Sequence, residues 1–452
     1  MMQESRSPNE GSTAAAPRLA RRLGLFDATM LVMGGIIGSG IFMNPSVVAN
    51  QVHSPFLILG AWLLGGFAAL AGAFVYAELA SLRPDVGGQY AYLREAYHPA
   101  VAFIFGWALL LVTQTGGMAA VAITFARYFS ELTHFPLPDW LIASAALGIL
   151  TLINCFGVRA GSTVQSILMI LKIAAIALLV LFGAFAARES NLFGSVSAEP
   201  TVPYDSLPSF GAAMIPVLFA YGGWQTTNFI AGEIHNPRKN LPYGLLLGVV
   251  GVAILYLSVN LVCILVLGAH DLALTTTPAT EVMRRALGER GVALIALGIT
   301  ISTLGFLSQG MLTAPRVYFA MAEDKLFFRS VATIHPKTRV PVVAIAIQGV
   351  LAIIITLSGR YEQILNFVVS TDFIFFGLTA TTIFVFRRRA ATLPGSDTFR
   401  TPGHPLTTVF FIAICWLVVI STIYTYPLNS IIGIGIMLTG IPVYFYWRRK
   451  PS

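Results

Sequence analysis

The stretch Gly34-Gly35-Ile36-Ile37-Gly38-Ser39-Gly40-Ile41-Phe42 sits inside an apolar segment long enough to cross a membrane, and its reading decides the fold. Gly38, Ser39 and Gly40 carry no bulky side chain, so the backbone there can unwind and be approached closely. A second cluster, Phe219-Ala220-Tyr221-Gly222-Gly223-Trp224, interrupts another long apolar segment at a similar depth. Backbone opened at membrane depth must be satisfied by protein, water or a ligand, because lipid offers no hydrogen bonds. Paired, glycine-interrupted segments in corresponding halves are the best sequence pointer to a carrier's binding site. The alternative is that these glycines only let helices pack closely, since Gly34 and Gly38 also form a small-xxx-small pair. Two clusters at matching positions favour binding.

The composition around them agrees. Of 452 residues, 56% are hydrophobic and 11% charged, with mean hydropathy +0.77, a balance that a polytopic helical membrane protein requires. The apolar residues come in long runs rather than short alternations, which argues against a β-barrel. The expected fold class is an all-α membrane protein with twelve transmembrane helices, near 25–49, 56–82, 100–129, 139–155, 161–187, 209–233, 243–268, 291–322, 341–358, 361–386, 407–425 and 428–447. The clusters fall in the first and sixth spans, with four spans between them, so the two broken helices run in opposite directions. The reading is therefore a 5+5 inverted repeat: a tail at 1–24, a first repeat over 25–187, an outer loop at 188–208, a second repeat over 209–386, a cytoplasmic loop at 387–406, two further helices over 407–447 and a tail at 448–452.

Charge sets the expected orientation. With both termini in the cytoplasm, the great majority of the 28 Lys and Arg fall on the inner side, richest at Arg316–Arg339 and Arg387-Arg388-Arg389. The net charge of +8 follows from topology and calls for no nucleic-acid partner. No cleaved signal peptide is expected in residues 1–24, which carry Arg18, Arg21 and Arg22 without an apolar core. Cys155, Cys263 and Cys415 have no metal-type spacing and read as isolated packing thiols.

The chemistry follows from the breaks. The outer half of the first span begins with free N–H groups at its positive end, an anchor for a carboxylate at Gly38, Ser39 and Gly40. The inner half ends near Ile36 and Ile37 with free carbonyls that suit an ammonium group. The sixth span repeats this with opposite polarity, its carbonyls freed near Phe219, Ala220 and Tyr221. Donors and acceptors so placed match a zwitterion.

Two ionisable residues lie deep. Lys172 is about 16 Å from the nearer interface, beyond the reach of its stem, so it must be paired, neutral, or a replacement for a bound cation beside unwound carbonyls. A structural pin between the first and fifth spans is compatible with that role. Asp372 lies at comparable depth, and three roles are open to it: a partner for Lys172, a ligand for a cationic side chain, or a proton relay. Glu78 is expected to be solvated at an interface, and Glu233 to end the sixth span before a cytoplasmic turn, Asn236–Pro242, that caps and orients the seventh. Phe219 and Trp224 border the second break, as gates or as ordinary packing. Walker, zinc-helix and Gly-x-Ser-x-Gly motifs are all missing, so neither an enzyme nor a cofactor or metal is expected.

The residues are familiar. Gly34–Pro45, Leu218–Pro242, Gly305–Met321 with Thr313-Ala314-Pro315-Arg316, and Gly433–Tyr446 resemble the amino acid–polyamine–organocation superfamily, most closely its L-type amino acid transporter branch. The resemblance spans nearly the whole chain. It implies a leucine-transporter-type fold and sodium-independent transport by alternating access. It places a substrate carboxylate on the amides of Gly38, Ser39 and Gly40 and an ammonium on carbonyls matching Ile36, Phe219 and Gly222. Lys172 would stand where sodium sits in sodium-coupled relatives. Selectivity would involve Gly117 and Val121, Phe306, Leu307 and Gly310, and Asp372 and Phe373. The loop Ser130–Pro138 lacks the cysteine through which animal members join an accessory glycoprotein, so no disulfide-linked partner is expected. The expected function is exchange or proton-coupled transport of free, neutral amino acids across a cell membrane; the alternatives are a cationic amino acid or polyamine carrier using Asp372 and, further off, an ion channel.

Overall fold

Long apolar runs without strand-forming alternation fold into helices throughout. The computed structural model describes residues 19, 21–189, 206–357, 361–390, 398–425 and 427–449. Most of the expected outer loop, the two tails up to residue 18 and from residue 450, and residues 391–397 of the expected cytoplasmic loop lie outside these. In chain order the helices are α1 (Leu25–Ile36), α2 (Gly40–Val52), α3 (Pro55–Leu82), α4 (Gln89–Ala96), α5 (Pro99–Ala108), a π-helical turn (Leu109–Thr113), α6 (Gln114–Thr133), α7 (Asp139–Cys155), α8 (Val158–Glu189) and α9 (Ser206–Ala220). There follow a 3₁₀ helix (Trp224–Glu233), α10 (Pro237–Leu274), α11 (Pro278–Leu287), α12 (Glu289–Thr313), α13 (Pro315–Glu323), a 3₁₀ turn (Arg329–Ala332), α14 (Val342–Leu357), α15 (Tyr361–Ala390), α16 (Leu406–Thr425), α17 (Pro427–Leu438) and α18 (Gly440–Arg449). One isolated bridge, Leu23 to Ile234, is the only β pairing among the described residues.

Eight helical segments among the described residues are long and apolar enough to cross a membrane, and nine if the bent pair α1–α2 is one span. The other three expected spans are the shorter α7 and α14 and the interrupted α9 with its 3₁₀ continuation. Proline at the first helical turn opens α3, α5, α10, α11 and α13, where its missing N–H costs nothing.

Small residues bring the spans that carry the breaks close to their neighbours. A methyl on Gly244 would lie 2.8 Å from the Ala28 methyl, so α10 packs directly on α1. The buried aromatic cluster of Trp62, Tyr221 and Tyr256 joins α3, the second break and α10, with ring centroids 5.0–5.9 Å apart.

Ion pairs close one end of the molecule. Glu233, last in the 3₁₀ helix, meets Arg316 on α13 at 2.6 Å, both side chains 0% exposed. Backbone N–H groups of Arg22 and Leu23 donate to the Glu233 carbonyl, tying the segment before α1 to the same point. Arg94 pairs with Asp324 at 2.6 Å. Glu78 corrects the sequence expectation. It is buried rather than solvated, with Arg387 of α15 at 2.7 and 2.8 Å and the Thr401 N–H at 2.6 Å on its carboxylate. A carboxylate there can leave water because a distant cation and an N–H replace it, and neither was local in sequence. The Glu233 turn does start α10, with Asn236 in the left-handed region, but no side-chain cap is formed. The three cysteines are unpaired, Cys263 and Cys415 fully within the packing.

Candidate functional site

Both glycine clusters open the helix that contains them. α1 stops at Ile36, α2 starts at Gly40, and the two axes are bent by 43°. α9 stops at Ala220, and after a turn the chain resumes as a 3₁₀ helix at Trp224. The two openings touch. Gly223 has φ +101° and faces the Gly35 carbonyl, while a methyl on Gly35 would lie 2.6 Å from the Gly223 oxygen. Neither position can take a side chain without separating the breaks.

Side chains and one turn claim several of the freed carbonyls. The Tyr256 hydroxyl, from α10, donates to Ile36 O at 3.1 Å and Ala220 O at 3.2 Å, one proton shared between the two breaks. Lys172, 0% exposed on α8, donates to Ile37 O at 2.5 Å and Gly34 O at 3.4 Å. Ser302 of α12 donates to Gly38 O at 3.0 Å. The Phe219 oxygen takes the Gly222 N–H at 3.0 Å. By contrast, the N–H groups of Gly38, Ser39 and Gly40 have no acceptor among the described residues. Unclaimed donors at a helix start form an anion site. Each carbonyl of the breaks keeps a second lone pair for a cationic donor.

These groups line one cavity of about 120 Å³, far above the roughly 10–15 Å³ that one water needs. Ile36, Gly38, Ser39, Gly40, Phe219, Ala220 and Gly222 are on its wall, with Gly117, Val121, Phe306, Asp372 and Phe373. Nothing lies within 4 Å of where a Gly117 methyl would be, so this glycine faces open space.

Two expected wall residues stand off the wall, and two of the open alternatives narrow. Leu307 is not on the wall; it packs in the cluster with Met118, Met311 and Leu312. Gly310 is screened by the Gln114 amide. Trp224 lies behind the wall in an aromatic stack, edge-on to Tyr76 at 4.8 Å and near Phe376 and Phe411. Lys172 sits behind the first break and does not pair with Asp372, which has no ion-pair partner among the described residues.

Sequence reading missed a polar set on the same wall: Thr113, Gln114, Gln225, Thr226 and Gln309. Thr113 ends the π-helical turn, and just beyond it the Thr115 hydroxyl donates back to Leu110 O. Such turns re-aim side chains and are frequent at functional sites. Tyr256 was missed too. Its signal was weak, one aromatic in a long apolar run.

Residues 23–446 match the family model described as amino acid permease. The chain is 32% identical to the serine/threonine exchanger SteT of Bacillus subtilis, covering 96% of this chain and 98% of that protein. It is 28% identical to the human large neutral amino acids transporter small subunit 2, over 99% of this chain and 84% of the relative. The human cystine/glutamate transporter is 26% identical, over 96% and 87%.

Proposed function

Because this chain belongs to the amino acid permease family, we propose that it exchanges free amino acids across a membrane by alternating access, with the zwitterion held between the two broken spans. One observation carries the reading: three N–H groups without acceptors face half-used carbonyls across a single cavity. A carboxylate on Gly38–Gly40 and an ammonium on the oxygens of Ile36, Phe219 and Ala220 would satisfy both sets. No cation of the wall is then needed for the carboxylate.

The twelve segments are read as twelve crossings in a 5+5 inverted repeat. Antiparallel breaks that touch at Gly35 and Gly223 support that order. The end closed by Glu233–Arg316 is read as cytoplasmic, following the excess of Lys and Arg there, which makes this the outward-facing state. Lys172 takes the place of a bound cation at the first break, which fits sodium-independent transport. Neutral, small substrates fit the wall best, since the space at Gly117 is bounded by Val121, Phe306 and Phe373 as well as by Thr113 and Gln114. With no cysteine in Ser130–Pro138, the chain works without a disulfide-linked subunit.

Proteoliposomes preloaded with unlabelled threonine test this. Uptake of labelled threonine is expected to rise with the internal load and to be indifferent to sodium. Uptake only down a sodium gradient would overturn the reading, and full competition by arginine would move the substrate class to cations.

A further inference from the structure

Away from the substrate cavity, a groove of about 460 Å³ runs between α6, α7, α8 and α12. Its lining is apolar throughout. Phe125 and Phe129 of α6 form one side, stacked at 5.5 Å, and Leu141 and Ile153 mark its extent along α7. Leu168 of α8 and Leu304 of α12, both half-buried, form the floor. Ile149, on the α7 wall, is 59% exposed, so the groove is continuous with the surface that the spans turn toward the bilayer.

A carbon-lined hollow does not hold water. Left empty, it would forfeit dispersion contacts along its whole wall. Hydrocarbon is the matching occupant, and the bilayer supplies it. The dimensions choose among hydrocarbon bodies. From Leu141 to Ile153 the helix rises about 18 Å. That is a little more than one leaflet of a core about 30 Å thick. Spread over that length, the volume is a channel about 25 Å² in section, whereas a helix about 10 Å across needs about 80 Å². The groove therefore admits a single chain and not the helix of a second copy.

We propose that this groove is a lipid site, in which one acyl chain of a bilayer phospholipid lies along α7 with its headgroup at the level of Trp140. That indole opens α7 and is 47% exposed, where an aromatic marks the membrane interface. The seat has a consequence for the first break. Leu168 Cβ would lie 3.4 Å from a methyl on Gly305, the glycine against which the Lys172 stem packs. A chain on that floor backs the contact of α8 with α12 that positions the Lys172 amine on Ile37 O. The site does not depend on which solute is carried.

The test is photocross-linking of the full chain in proteoliposomes made with a phosphatidylglycerol that carries a diazirine midway along one acyl chain, mapped by peptide mass spectrometry. Cross-links are expected to be denser on the half-buried Leu168 and Leu304 than on Leu417 and Ile420 of α16, which are each 65% exposed and meet bulk lipid. Ala145→Phe, which fills the groove from an exposed position on its wall, should lose the floor cross-links and keep those on α16. Ala145→Ser, which leaves the space open, should keep both, and all three proteins should melt alike. Floor cross-links no denser than those on α16, or unchanged in Ala145→Phe, would overturn the site. So would cross-links joining α7 of one copy to another copy, which would put a second protein chain in the lipid's place.

Discussion

At the residue scale, the account turns on how buried donors are shared among freed carbonyls. Lys172 spends its amine on Ile37 and Gly34, and its stem lies against Gly305, where a methyl would come 2.5 Å from Cε. Lys172→Ala is expected to abolish uptake in proteoliposomes while the protein still inserts and purifies. Gly305→Ala should do the same by displacing the amine, with a smaller loss. Uptake near the wild-type level in either would contradict the role. Tyr256→Phe strips the one hydroxyl shared by Ile36 and Ala220, and leaving buried carbonyls without a donor costs about 1–3 kcal/mol. Its melting temperature and threonine affinity should both fall. The depth of Lys172 was legible in the sequence, since a charge so far from either interface needs partners. The role of Tyr256 was not, because a tyrosine within an apolar run looks like any other core aromatic until the opposite break is placed beside it.

At the scale of elements, the two interruptions were readable because the chemistry that permits them is local. Gly38-Ser39-Gly40 and Gly222-Gly223 cannot sustain a packed span and leave polar backbone behind. What replaced the helix was less readable. The sixth span resumes as a 3₁₀ helix, and the third carries a π-helical turn at Leu109–Thr113 made of ordinary residues without glycine or proline. That turn brings Thr113 and Gln114 to the wall, and Gln114 in turn covers Gly310. Leu307 was carried over by position, yet it falls on the face of α12 that packs away from the cavity while Phe306 and Gln309 face it. Two glycines therefore separate by consequence. Gly117→Leu enters open space and should leave folding intact while abolishing uptake. Gly223→Ala, strained at φ +101° and driven against Gly35, should lower the melting temperature as well. Equal melting temperatures for the two variants would show that the breaks do not depend on their contact.

At the scale of the whole molecule, buried ion pairs tie together segments distant in sequence. The Glu233–Arg316 pair has no solvent on either side chain, and losing one partner of such a pair costs about 3–5 kcal/mol. Arg83–Glu95 is a third exposed on both side chains and is worth about 0–1 kcal/mol. Arg316→Met should therefore lower the melting temperature well beyond Arg83→Met, and comparable values would contradict the closure described for that end. These pairs join residues up to hundreds apart in sequence, which is why Glu78 reads as solvated until Arg387 and Thr401 are brought to it. The central claim is that one amino acid lies between the two breaks. A cryo-electron microscopy map of the protein with threonine tests it most directly. The account predicts density at the cavity with the carboxylate on the amides of Gly38–Gly40 and the ammonium toward Ile36 and Phe219; unbroken helices through residues 36–40 and 220–224, or threonine bound away from both, would contradict it.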